Sequence, residues 1–91
     1  MSEELRRSAE IRNSKGLHAR AAAKFCKMAT TFDADIRVKK GANEVSGISI
    51  MGLMMLAASI GTVIEITTSG KQATQAMDAL CKLVADKFDE E

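Results

Sequence analysis

The chain has no proline, tryptophan or tyrosine, and its 91 residues include only three phenylalanines and one histidine. Without indole or phenol rings it lacks the stacking platforms of a single-stranded nucleic-acid groove. Its 13 basic and 12 acidic residues leave a formal charge of +1, no basic excess with which to neutralise a phosphate backbone. Nucleic acid is therefore excluded as an expected partner. Cys26 and Cys81 stand far apart in segments that read as helices, so two reduced thiols are expected rather than a disulfide. With one histidine and two scattered cysteines no metal site is expected, and no glycine-rich nucleotide loop is present, so no cofactor is expected either. No apolar run approaches the roughly 18 residues of a membrane span. The opening Met-Ser-Glu-Glu-Leu-Arg-Arg carries no apolar leader, and the expected location is the cytoplasm. Residues 1–91 read as a single small domain, which buries about 60–65% of its unfolded surface. That leaves no room for a large enclosed site, and any chemistry belongs at the surface.

What is present alternates between two periods. From Leu5 to Arg12, the apolar Leu5, Ala9 and Ile11 share one parity, a strand with one buried face. Asn13 to Gly16 is a polar turn. A helix from Ala19 to Thr31 places Ala22, Phe25, Met28, Ala29 and the following Phe32 on one side, with Arg20, Lys24 and Lys27 as a basic stripe on another. Phe32 to Lys39 alternates apolar and charged residues as a second strand, and turn residues at Lys40–Asn43 return it as a short third strand to Ser46. Ser49 precedes Ile-Met-Gly-Leu-Met-Met-Leu-Ala-Ala, where its hydroxyl suits the cap of a short helix. Gly61 to Thr68 is a fourth strand, Ser69 to Gln72 fits a capping box, and Ala73, Ala76, Met77, Leu80, Val84 and Phe88 trace the apolar side of a last helix. Asp86, Asp89, Glu90 and Glu91 read as a solubilising acidic tail. Four amphipathic strands with amphipathic helices to cover one face predict a two-layer α+β domain.

The chemistry concentrates at Asn13–Lys24. Gly16 permits a sharp bend and the alanine-rich run after His18 favours helix, so the imidazole is placed where a loop becomes a helix. Amides of a first helical turn lack intrahelical partners, and the macrodipole there attracts anions. A neutral imidazole in that position is a nucleophile. A phosphoryl group attached to it would lie beside those free amides and near the guanidinium of Arg20.

Gly16-Leu17-His18-Ala19-Arg20 resembles the phosphorylation-site motif of the HPr family, histidine-containing phosphocarriers of the bacterial phosphoenolpyruvate-dependent phosphotransferase system. A second motif, Ser49-Ile50-Met51-Gly52-Leu53-Met54, resembles the regulatory serine motif of the same family at the same spacing. The resemblance spans nearly the whole chain. It implies an open-faced sandwich of a four-stranded antiparallel sheet, order 1-4-2-3, covered on one face by three helices. It further implies that His18 is phosphorylated on Nδ1 by enzyme I and relays to an enzyme IIA, with Arg20 as phosphate partner and the amides of Ala19 and Arg20 completing the cradle, and that the protein is a carrier rather than an enzyme.

Helix-2 residues Ile50, Met51 and Met54, with Ala23 and Lys27 of the first helix, match positions at which family members dock their partners. Core burial is the competing reading for each of the three apolar ones. Ser49 matches the serine modified by an HPr kinase/phosphorylase, and a cap is its competing reading. Ala21 departs from the pattern, because the family usually has proline there. In that respect the chain resembles HPr-like proteins of nitrogen-type or other regulatory systems. A regulatory adaptor that binds targets without onward transfer is the alternative function, and a monomer is expected.

Overall fold

The computed structural model describes residues 4–90. Its elements run β1 (Glu4–Glu10), α1 (Ala19–Thr30), β2 (Asp35–Lys40), β3 (Asn43–Ser46), α2 (Ile50–Met55), β4 (Val63–Ser69) and α3 (Ala73–Ala85), followed by one 3₁₀ turn at Lys87–Asp89. The sheet order is β1-β4-β2-β3, antiparallel throughout, as the resemblance implied. β4 is central because it is the most apolar strand: Ile64, Ile66 and Thr68 are all buried on its helix side. Val38 lies opposite Ile66 and Ile36 opposite Thr68, so the register stacks branched side chains beneath the helices. The other face is wet, and Arg6 pairs with Glu65 (3.8 Å) and Arg37 with Glu44 (3.6 Å) across it.

The core lies between sheet and helices, where α1 contributes Ala21, Ala22, Phe25 and Ala29 and α3 contributes Ala76, Met77, Leu80 and Val84. Each large apolar side chain buried in this way contributes about 1.5–3 kcal/mol. The three- and four-residue spacing legible in the sequence is the spacing of these contacts. Met28 and Phe32, expected on the same face, are only half-buried at its margin. Ala21, where the family pattern has proline, is fully buried, so packing holds the first turn of α1 in place of a fixed φ.

Several expectations shift locally, among them the fourth strand, which runs Val63–Ser69 rather than from Gly61 because the Gly61 and Thr62 amides close a turn onto Ile11 and Ser59. The first strand stops at Glu10, yet Ile11 stays buried because its N–H and C=O bond Thr62 and Gly61 (2.8 and 2.7 Å). The second strand begins at Asp35 rather than Phe32, since a tight Phe32–Ala34 turn precedes it. α2, expected only as a short helix, ends at Met55 within the apolar run, because Ala57 has φ 52° and Lys40 Nζ donates to the carbonyls of Leu56 (3.0 Å) and Ala57 (3.2 Å). No capping box opens α3: the Gln72 side-chain oxygen accepts from the Asp33 amide (2.7 Å), tying the helix start to the β2 approach.

The expected acidic tail is corrected at Asp86 and Glu90, while Asp89 is exposed and Glu91 lies outside the described residues. Asp86 accepts from Lys82 Nζ (2.6 Å), and Phe88 is fully buried. Lys87, Phe88 and Asp89 take φ of 58°, 55° and 60°. Left-handed conformation costs a residue with a Cβ about 1–2 kcal/mol, so this turn persists only because burial of Phe88 and a bond from Lys24 Nζ to its carbonyl (2.7 Å) hold it. The same bond takes Lys24 out of the expected free basic stripe.

Candidate functional site

Gly16 begins the site. Its φ is +65°, and a Cβ there would stand 2.4 Å from the Ala58 carbonyl oxygen, so only glycine lets the two loops close. The Leu17 amide bonds that oxygen (2.8 Å), which fixes the 13–18 loop against the segment after α2. Asn13 is fully buried, and its Nδ2 donates to the Gly16 carbonyl (2.7 Å) and to Glu90 Oε1 (3.0 Å).

His18 is the N-cap of α1, with extended backbone (φ −77°, ψ −178°) and no side-chain capping bond. Its carbonyl accepts the Ala22 amide (2.8 Å), the first intrahelical bond, so the amides of Ala19, Arg20 and Ala21 precede the ladder. The ring is 27% exposed. Its Nε2 meets Glu90 Oε2, and its Nδ1 has no partner among the described residues. A carboxylate only accepts, so Nε2 carries the proton of this bond and, in the neutral ring, Nδ1 holds the lone pair. Arg20 is exposed, and its guanidinium makes no ion pair or hydrogen bond among the described residues.

Glu90 is the residue that sequence reasoning missed. One acid in an acidic tail resembles solvation, and nothing local signals a partner 72 positions away. Its side chain is 12% exposed. Burial opposes its ionisation, but hydrogen bonds from His18 and Asn13 and the charges of His18 and Lys15 outweigh burial and hold the carboxyl below its ordinary 4.5. A depressed carboxylate stabilises the fold above its unfolded value, and that contribution is lost as pH falls through the folded one. The stability gap between the protein and a Glu90→Ala variant is thus expected to be full at neutral pH and to close below 4.5, read by urea unfolding across that range.

The helix-2 residues divide. Leu53 is buried, whereas Ile50 (41%), Met51 (69%), Met54 (39%) and Met55 (79%) are exposed, so core burial is not the state of Ile50, Met51 or Met54. Met54 shares with His18 a surface hollow of ≈ 290 Å³ that Lys15 and Ser59 also line. Ala23 and Lys27 are exposed on α1, which packs against α2. Ser49 caps α2, its hydroxyl accepting the Gly52 amide (2.9 Å), so the capping reading of that residue holds. No helix of the described residues is long and apolar enough to cross a membrane.

The open-faced α+β sandwich thus presents one imidazole at a helix start, beside amides that precede the helix ladder and a guanidinium free among the described residues, an arrangement with the donors to hold an anion. Comparison with known proteins shows the family. The family model described as "PTS HPr component phosphorylation site" matches residues 5–86. The chain is 50% identical over 86 residues to the phosphocarrier protein HPr of Neisseria meningitidis serogroup A, covering 94% of this chain and 97% of that protein. It is 44% identical to the phosphocarrier protein NPr of Shewanella violacea, with 94% of each covered. Among solved structures, HPr of Thermoanaerobacter tengcongensis superposes with a TM-score of 0.91 at 40% identity, over 96% of this chain and 98% of that one. The chain belongs to the HPr family of phosphocarrier proteins of the phosphotransferase system.

Proposed function

We propose that the chain acts as one cytoplasmic carrier domain that accepts a phosphoryl group on His18 Nδ1 from an enzyme I-type donor and passes it to an enzyme IIA-type acceptor. The observation that carries this reading is the Nδ1 at the N-cap of α1, which has no partner among the described residues, next to amides that no helix bond uses. In-line transfer between proteins needs an exposed acceptor atom, donors for the phosphoryl oxygens and a surface that excludes water. His18 supplies the atom. Ala19, Arg20 and the Arg20 side chain supply the donors. Ile50, Met51 and Met54, with Ala23 and Lys27, supply the surface: methionine is flexible and polarizable, suited to partners of different shape.

The test is a relay. With enzyme I and labelled phosphoenolpyruvate the protein takes label, and on addition of an IIA protein the label moves on. Label that stays on the carrier would favour the regulatory adaptor instead.

Ser49 is proposed as a second, regulatory phosphorylation site. Its hydroxyl already holds the first turn of α2, so a phosphate there trades a cap for a dianion beside Ile50 and Met51. Docking of an apolar partner surface is weakened by repulsion and by the desolvation of that charge. Incubation with ATP and an HPr kinase/phosphorylase is expected to give acid-stable phosphate lost in Ser49→Ala; its absence from the protein itself would remove the proposal.

A further inference from the structure

We infer that Glu90 is a positioning residue for phosphoryl transfer: through its bond to Nε2 it locks the His18 ring in the tautomer whose Nδ1 is the nucleophile. The inference rests on the reading of His18 as acceptor and adds a residue to it. The geometry is built from three sides. The left-handed turn Lys87–Asp89 carries the carboxylate to the ring, anchored by buried Phe88 and by Lys24 on its carbonyl. Asn13, itself fully buried, holds Oε1 and so aims Oε2 at Nε2. Three successive residues in a conformation that disfavours side chains lead the chain to this contact.

The chemistry follows the logic by which a buried carboxylate orients a catalytic imidazole. As the Nδ1 lone pair forms its bond to phosphorus, the bond from phosphorus to the donor's leaving atom breaks and its electron pair departs with the donor. Positive charge develops over the His18 ring, and the carboxylate at Nε2–H meets it. No proton leaves the ring in this step. In the return direction the same contact keeps Nε2 protonated, so the ring remains a good leaving group.

Glu90→Gln separates this role from packing because it preserves shape. Asn13 Nδ2 needs an acceptor, so the introduced amide turns its oxygen to Asn13 and its NH₂ toward Nε2. Nε2 must then accept, and the proton moves to Nδ1, the atom that should attack. Glu90→Ala removes the lock without reversing it. Nitrogen-15 NMR of the unphosphorylated, neutral ring is expected to show protonated Nε2 in the protein, a mixture in Glu90→Ala and protonated Nδ1 in Glu90→Gln. The rate of labelling is expected to fall in the same order, by roughly tenfold or more for Glu90→Gln. Identical tautomers and rates in all three proteins would overturn the inference, as would a larger loss in Glu90→Ala than in Glu90→Gln. The NMR arm needs no donor, so a protein with the expected tautomers that never takes label at His18 would defeat the carrier reading and leave the ring lock standing.

Discussion

His18→Ala is expected to take no acid-labile label from phosphoenolpyruvate and enzyme I, to the limit of detection. The loss is complete rather than partial because the described residues offer no second imidazole, and Arg20 and the helix amides hold phosphoryl oxygens without supplying a nucleophile. Arg20→Ala, by contrast, keeps the nucleophile and loses one set of donors, so labelling slows but persists. Folding is not the cause of the difference. The His18 side chain caps nothing, and its one bond, to the Glu90 carboxylate, is worth about 1.5–3 kcal/mol net, equivalent to a fall in Tm of about 6–24 °C for a domain of this size, so the variant is assayed well below its transition. A cooperative unfolding transition together with unchanged labelling would move the acceptor to another residue and dismantle the proposed function.

Gly16→Ala carries the largest structural penalty expected at the site. The substitution meets two separate objections: positive φ, which costs about 1–2 kcal/mol with a Cβ, and contacts of 2.4 Å to the Ala58 oxygen and 2.9 Å to the Ser59 Cα that only backbone movement can relieve. Together they amount to about 3 kcal/mol or more, seen as a fall in Tm of about 10–25 °C. Gly41→Ala is the internal control, since that glycine has φ +60° with nothing within 4 Å of a Cβ. It should lose only the conformational part. Equal losses in the two variants would mean that the loop carrying His18 is not clamped against Ala58. Because that clamp sets the height of the ring over the helix start, Gly16→Ala is also expected to slow labelling beyond what its stability accounts for.

Much of this was legible in the chain itself. Alternation at Ile36 and Val38 or at Ile64 and Ile66, and the three- and four-residue spacing of Ala22, Phe25 and Ala29, are produced directly by contact with one core, so period reports burial. The bend at Gly16 and the helix after His18 were local too. What stayed hidden depends on residues meeting across the fold. Gln72 looked like half of a capping box, but the Asp33 amide lay nearer its oxygen once β2 and α3 were brought together. The early end of α2 follows from Lys40, a strand residue whose ammonium reaches two helix carbonyls. Glu90 had the least signal of all. Neither its type nor its neighbours distinguish a carboxylate that orients a ring from one that faces water, and only the turn at Phe88 brings it there.

The path of the last described residues carries a practical corollary. Since the Glu90 side chain rests on the imidazole, an affinity tag or reporter fused at that end adds bulk to a residue in contact with the ring. A handle joined ahead of β1, a strand that the sheet keeps at its edge, avoids grafting bulk onto that contact. Where the fusion is placed therefore decides whether a tagged preparation measures the carrier or its obstruction.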